Sequence, residues 1–285
     1  MAHLKDIPKS KPGEALFIGA GDIAWCDKNI PNKHSAHEKT AQLIEMYPKD
    51  TPVFTLGDNA YHDGSLSDYQ GCYNRSWGRF KDRTYPVSGN HEYRTKDAAG
   101  YFSYFGKRAG DKPYYSFDLE KWHVLVLDSE CQGGAMNGLC LEKDSQMQWL
   151  RKNLEAHSNK CTLALWHRPR VSTGKHGPAL QIKFLFDLLV DKGVDLAVTG
   201  HDHHYERFAP IDKHTEIDHR NGIRHFVVGT GGAPLRGERI KGDTSEFKTT
   251  KHHGIIELHL KQDSYAWRFI AIDGRVIDSG IGNCH

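Results

Sequence analysis

The sequence predicts an α/β fold, and three observations carry that expectation. Short apolar runs of strand length alternate with segments whose apolar residues recur at helical spacing through the first 200 residues. From His225 onward the pattern becomes β-rich, with the tighter alternation of hairpins. Five of the strand-like runs hand over, always in the same direction, to a residue of metal-ligating type. These are Gly-Asp-Ile-Ala (21–24), Gly-Asp-Asn-Ala-Tyr (57–61), Gly-Asn-His-Glu (89–92), Leu-Trp-His (165–167) and Gly-His-Asp-His-His (200–204).

Taken in order, Leu16–Gly19 is a short strand running out to Asp22, and Ala36, Leu43, Ile44 and Tyr47 mark a helix closed by Pro48. Pro52–Leu56 forms the next strand, ending at Asp58. Residues 64–84 read as irregular and aromatic, a segment placed to wrap the mouth of a site. Tyr85–Ser88 is a third strand ending at Asn90 and His91, and residues 98–116, rich in aromatics and glycine, suit a loop or a β-edge. Trp122–Leu127 is a buried strand, followed by the glycine-rich loop from Cys131 to Cys140 and a helix with Met147, Leu150 and Leu154 on one face. Thr162–Trp166 ends at His167. A helix over 179–190 stops at Gly193, a residue suited to a C-terminal cap. Val194–Thr199 ends at His201, and strands follow at 225–228, 254–260, 265–271 and 275–278, the last two joined by an Asp273-Gly274 turn. No repeat or linker divides the chain, so the expectation is an N-terminal extension (1–14) and one domain over 15–285.

Composition removes several function classes. A formal net charge of +2 over 285 residues, with no dense Lys/Arg run, argues against nucleic acid. No apolar run has the length of a membrane span, and Ala15–Ala20 is too short for a signal-peptide core. Six cysteines suggest an exported protein, secreted or periplasmic, whose signal lies outside this sequence; six reduced thiols in the cytoplasm are the alternative. Cys131 with Cys140, Cys26 with Cys72, and Cys161 with Cys284 are plausible pairs, although six cysteines allow fifteen pairings. The absence of C-x-x-C speaks against a zinc finger.

A Gly-Asp after a strand is ordinarily a turn, and an isolated Gly-His-Asp-His is a polar surface loop. Five such motifs at the same end of successive strands are harder to explain that way. Sheets fix the direction of strand ends while loops bring them together, which is where open α/β sheets gather ligands. A pair of hard cations needs carboxylate, amide and imidazole donors, with one carboxylate shared. Asp22, Asp58, Asn90, His167 and His201 supply that set. A metallo-β-lactamase arrangement does not fit, because His-Asp-His-His lacks the His-x-His-x-Asp-His spacing.

The order GD…GDxxY…GNHE…WH…GHxH resembles the calcineurin-like metallophosphoesterase superfamily, and within it the single-domain purple acid phosphatases. Two details select that branch. Ala24 stands where many superfamily members carry a His, and Tyr61 follows Asp58 by three residues. The run GHDHHYERFAP (200–210) is also similar to that group. The resemblance covers roughly residues 16–235.

It implies a four-layer α/β/β/α sandwich of two mixed sheets flanked by helices. It implies Fe(III) held by Asp22, Tyr61 and His203, with Asp58 bridging to a second ion, Fe(II), Zn or Mn, held by Asn90, His167 and His201. It further implies hydrolysis of a phosphorylated small-molecule substrate by in-line attack of a metal-bound hydroxide. His91 and Asn90 would contact the phosphoryl group, and His176 would protonate the leaving group. Arg168, directly after His167, would either reach a phosphate oxygen or form a surface ion pair. A phosphodiesterase or nucleotidase with Mn or Zn in both sites is the alternative. Gly229-Thr-Gly-Gly after a strand reads as a tight turn rather than a phosphate loop, since no helix follows it.

Overall fold

The structure, a computed structural model, describes residues 11–25, 35–131, 140–157, 161–239 and 242–285. The chain begins with β1 (Ala15–Ala20), α1 (His37–Glu45), β2 (Val53–Thr55), α2 (Leu66–Gly71), β3 (Thr84–Tyr85) and α3 (Ala99–Phe105). It continues through β4 (Tyr115–Leu119), β5 (Trp122–Val126), α4 (Ser145–Ala156), β6 (Thr162–Trp166), α5 (Lys183–Asp191), β7 (Leu196–Thr199) and β8 (Tyr205–Phe208). The last elements are β9 (Arg224–Val228), β10 (Ser245–Thr249), β11 (Gly254–Leu260), β12 (Ser264–Ala271) and β13 (Val276–Asn283).

Two mixed sheets result. One has the order β13-β12-β11-β1-β2-β3 and the other β10-β8-β9-β7-β6-β5-β4. In each, a parallel block carries the strand-end motifs: β1, β2 and β3 in the first sheet, β5, β6, β7 and β9 in the second. Side chains alternate across a strand, and that period sorts the core into layers. Trp122, Val124 and Val126 of β5, with Leu163 and Leu165 of β6, join Phe17, Phe54 and Leu258 of the other sheet in one apolar cluster. Leu125, Ala164 and Trp166, between them in sequence, face the opposite way. They pack with Met147, Leu150 and Leu154 of α4 and Leu185, Phe186 and Leu189 of α5. The expected sandwich of two sheets flanked by helices is the observed architecture.

Three expectations change. Residues 98–116 are not a loop or β-edge at their start, because Ala99–Phe105 is a helix. Asp97 and Ala98, at φ 53° and 52°, break the chain before it. Glycine and aromatics make this a poor intrinsic helix, so its packing decides the outcome. Tyr104 stacks on Tyr69 at 4.7 Å, and Phe105 lies edge-on to Tyr69 and Tyr73 at 5.5 and 5.7 Å. The third strand is shorter than Tyr85–Ser88, since Pro86 offers no N–H to continue a ladder. Strands β8 and β10 escape the hydrophobic pattern altogether: β8 carries Glu206 and Arg207 between its aromatics, and β10 pairs along it as an edge.

Cys131 and Cys140 form a disulfide with Cα atoms 5.2 Å apart, and Cys161 and Cys284 form another at 5.7 Å. The third expected pair involves Cys26, outside the described residues. Among the described residues no helix is long and apolar enough to cross a membrane.

Candidate metal centre

Five loops converge at the carboxyl ends of the parallel strands and knit together through backbone bonds. Asp22 N–H donates to Gly57 O (3.0 Å), Ile23 N–H to Asp58 O (3.0 Å) and Tyr61 N–H to Ala24 O (2.9 Å). Gly200 N–H donates to His167 O (3.0 Å), which ties the fourth motif to the fifth. Asp22, Asp58 and His201 lie at φ 58°, 49° and 70°. This left-handed region costs a residue with a Cβ about 1–2 kcal/mol. Three of the predicted ligands thus share a strained backbone that the surrounding bonds hold in place.

Gly229-Thr-Gly-Gly serves these loops as a turn. Gly231 N–H donates to Gly21 O (2.9 Å) and Ala233 N–H to Asp22 O (2.8 Å), so these donors are spent on protein.

The side chains form two adjoining groups. In the first, Tyr61 Oη lies 2.9 Å from Asp22 Oδ1, 3.2 Å from Asp58 Oδ2 and 3.1 Å from His203 Nε2. In the second, His167 Nε2 lies 3.2 Å from Asn90 Oδ1, 3.4 Å from Asp58 Oδ2 and 3.2 Å from His201 Nδ1. One oxygen, Asp58 Oδ2, belongs to both. Asp22, Asp58, Tyr61, His167, His201 and His203 are buried, and Asn90 is half-buried.

Backbone carbonyls set the imidazole orientations. His167 Nδ1–H donates to Leu56 O (2.7 Å) and His203 Nδ1–H to Pro234 O (2.8 Å), which turns Nε2 of each ring inward, the nitrogen that either a proton or a cation would occupy. The first group therefore gathers two carboxylate oxygens and an imidazole lone pair around a phenol oxygen with a single proton to share. The second gathers an amide oxygen, a carboxylate oxygen and two imidazole nitrogens, with imidazole protons as the donors between them. Such convergence of lone pairs fits cations, and the shared Asp58 oxygen fits a pair of them.

The titration behaviour tells the same story with protons. Burial opposes charge on His167, yet the Asp58 carboxylate lifts it to about 10. Burial works against the Asp58 carboxylate too, but His167, His91 and His201 hold it far below the usual carboxylate range. Burial drives His201 well down, with His167 and Arg168 adding to the shift. Burial, with Asp22 and Asp58, pushes the Tyr61 phenol far up. A strong Lewis acid is what would release that proton.

The other predicted residues lie around these groups. The His91 ring sits on Tyr61 (centroids 4.4 Å) with Nε2 3.7 Å from Asp58 Oδ2. His176 is exposed, but its ring covers His201 at 4.5 Å, and its backbone N–H and that of Gly177 donate to the buried Asp202 at 2.8 and 3.1 Å. Its loop is therefore anchored. Arg168 forms a partly exposed ion pair, Nε donating to Glu130 Oε1 at 2.6 Å, and Nη1 lies 3.1 Å from His201 Nε2.

Asp202 was visible only as the spacer in His-x-His, and Glu92 only as the tail of Gly-Asn-His-Glu; both hold the site from behind. Glu92 accepts N–H bonds from Asp58, Asn59 and Gly89. Tyr69 Oη, from the aromatic segment expected at the mouth, donates to it as well (3.0 Å). That segment supports the site through this contact.

Gly57 shows how little room the arrangement leaves. Its φ is 82°, and a Cβ there would sit 2.6 Å from His167 Nδ1 and 2.8 Å from Gly89 Cα. Gly57→Ala combines left-handed strain with a clash against backbone and against the ring that bonds Leu56. We expect a loss of roughly 2–4 kcal/mol in urea denaturation, together with weaker metal retention.

The profile of the calcineurin-like phosphoesterase family matches residues 17–205. Tartrate-resistant acid phosphatase type 5 of Mus musculus is 26% identical over 251 residues, covering 75% of this chain and 72% of its own. Purple acid phosphatase 21 of Arabidopsis thaliana is 27% identical over 277 residues, covering 88% of this chain and 59% of its own. Among solved structures, purple acid phosphatase PPD1 from seeds of yellow lupin (Lupinus luteus) superposes with a TM-score of 0.72 at 20% identity, over 96% of this chain and 55% of that one. With two thirds of its length matched and its strand-end motifs gathered at one edge, the chain belongs to the calcineurin-like phosphoesterase family.

Proposed function

We propose that the protein is a metal-dependent phosphomonoesterase of the purple acid phosphatase kind, acting on phosphorylated small molecules. The observation that carries this reading is the single oxygen, Asp58 Oδ2, standing between two convergent donor groups, one of which contains a buried tyrosine. Asp22, Tyr61, His203 and Asp58 would hold Fe(III), for which a phenolate is a hard, electron-rich donor. Asp58, Asn90, His167 and His201 would hold Fe(II), Zn or Mn. Bound there, the two cations supply Lewis acidity toward phosphoryl oxygens and lower the pKa of water for in-line attack.

The chain's own groups do the rest. His91 Nδ1–H donates to the His62 carbonyl, which fixes the ring with Nε2 turned toward Asp58, beside the place a phosphoryl oxygen would take. Arg236 can only donate, and its Nη1 lies 2.6 Å from His176 Nε2. That nitrogen therefore accepts and the ring is held neutral; to serve a leaving alkoxide, His176 would turn from Arg236, take up a proton and return to the neutral ring as the alkoxide receives it. Arg168, steadied by Glu130, stands within reach of a phosphate oxygen. The two disulfides suit an oxidising location, so we place the protein outside the cytoplasm.

Metal analysis and a visible spectrum on protein purified without added metal provide the test. Two ions per chain, at least one of them iron, and a purple or pink band lost in Tyr61→Phe are the expected results. A colourless, iron-free enzyme that still hydrolyses an aryl phosphate would remove the ferric assignment. Faster turnover of an aryl diester than of the monoester would favour the phosphodiesterase reading.

A further inference from the structure

A second cluster of ligating side chains stands at the opposite end of the seven-stranded sheet from the metal centre. Asp118 on β4 and His123 on β5 are direct partners in the antiparallel ladder, which puts both side chains on one face of the sheet. Ser116, two residues before Asp118, shares that face. Helix α4 packs over it, with Asn153 near its carboxyl end and His157, four residues on, as its C-terminal cap. His123 lies level with Thr162 at the start of the parallel strand β6, whereas His167 follows the end of β6. That separation is roughly 16 Å along the strands, too far to share an ion with the centre.

Asn153 holds both rings. Its Oδ1 is 2.7 Å from His123 Nε2, while its Nδ2 donates to Ser116 Oγ at 2.8 Å. The amide oxygen is therefore the acceptor, and His123 Nε2 carries a proton. His157 Nδ1 lies 2.8 Å from the backbone oxygen of the same asparagine, which can only accept, so Nδ1 carries the proton of that ring. Ligating histidines are ordinarily held in this way, one ring nitrogen donating to a protein oxygen and the other turned to the ion. The other nitrogens here are Nδ1 of His123 and Nε2 of His157, and Asp118 Oδ1 stands 2.9 Å from the first of them. One ligand atom from each of the three residues lies within 4.8 Å of the others.

The two rings stack nearly parallel at 3.8 Å, with His123 buried and His157 half-buried. To bind one ion together, the His157 ring tilts out of the stack while Asn153 keeps His123 in place. A proton on His123 Nδ1 answers only the Asp118 contact, whereas a divalent cation uses all three donors. Two imidazoles and a carboxylate suit a borderline ion such as Zn(II), and the exposed Asp118 side leaves the fourth position to water.

We propose that Asp118, His123 and His157 form a further site for a divalent transition-metal ion, Zn(II) above all, which ties the end of α4 to the β4–β5 hairpin.

Titration calorimetry with Zn(II) tests this, on protein first loaded at the strand-end centre and freed of excess metal. The wild type should take up one more Zn(II) per chain. Asp118→Asn and His157→Gln each remove one ligand of the three, so that equivalent should be lost or bound at least about tenfold more weakly. Neither side chain is fully buried, so both variants should fold, which thermal melts in chelator check. Both should keep wild-type turnover of an aryl phosphate, and added Zn(II) should raise the Tm of the wild type more than theirs. The chain has 19 His, so the difference between wild type and variants carries the result, and it is read in the same way whether or not the centre fills. No further equivalent in the wild type, or one that both variants retain undiminished, would overturn the proposal.

Discussion

Asp58→Asn should yield a folded protein that retains neither cation and loses at least ~10³-fold in kcat/KM on an aryl phosphate, about 4 kcal/mol of transition-state stabilisation. The asparagine is the informative variant because it tolerates the left-handed backbone at this position, where φ is 49°, and keeps nearly the same shape. The charge is lost and one acceptor oxygen becomes an N–H donor. Oδ1 still accepts the His91 N–H, a bond of 2.9 Å in the wild type. What is lost is the anionic oxygen common to both donor groups, so neither group keeps enough negative charge to hold a hard cation. Asp58→Ala should abolish metal binding as well, with an added cost from backbone strain. Elemental analysis, turnover and a thermal melt on the same preparations separate the effects. Two ions per chain with near wild-type activity in Asp58→Asn would show that the shared-oxygen assignment is wrong.

How far the sequence reached follows from which forces are local. The parallel strands and the helices packed on them were legible because burial imposes a period of two or 3.6 on their residues. The candidate donors Asp22, Asp58, Asn90, His167 and His201 were legible because each sits at a strand end beside a glycine or Trp166, whereas Tyr61 and His203 came from the resemblance. The helix Ala99–Phe105 was not, since its stability comes from ring contacts with Tyr69 and Tyr73 about thirty residues earlier. Strand β8 was hidden because Glu206 is buried to serve as an internal acceptor. It takes hydrogen bonds from Thr173 and Ser245 and pairs with His204. Of the two imidazoles in His203-His204, only the first faces the donor groups, a distinction that alternation along an extended chain allows but sequence alone cannot orient. Arg236 was invisible for a different reason. It lies 60 residues from His176, and nothing in its own neighbourhood marks it as part of the site.

The residue whose importance the motif most understated is Glu92. Its carboxylate is buried, and four donors fill it. Oε1 accepts from Asn59 N–H (2.9 Å) and Tyr69 Oη (3.0 Å), and Oε2 from Asp58 N–H (2.9 Å) and Gly89 N–H (2.7 Å). Burial and the nearby Asp58 raise its pKa to about 7, while the N–H groups of Gly89 and Asn59 favour the ionised form. Glu92→Ala leaves three backbone N–H groups and a phenol without acceptors in a place water does not reach. The penalty for such orphaned donors, softened by relief of a buried charge, is roughly 3–5 kcal/mol. For a chain of this size that corresponds to a fall in Tm of roughly 5–8 °C. Glu92→Gln should rescue little, because its amide would aim a donor at two groups that are themselves donors. The loss should reach the metal centre too, since Glu92 clamps the backbone of Asp58 and of Gly89, the neighbour of Asn90. We therefore expect metal content to fall in both variants even below their melting temperatures. A Glu92→Ala protein that melts like the wild type and keeps two ions would show that the loops hold themselves in place without this carboxylate.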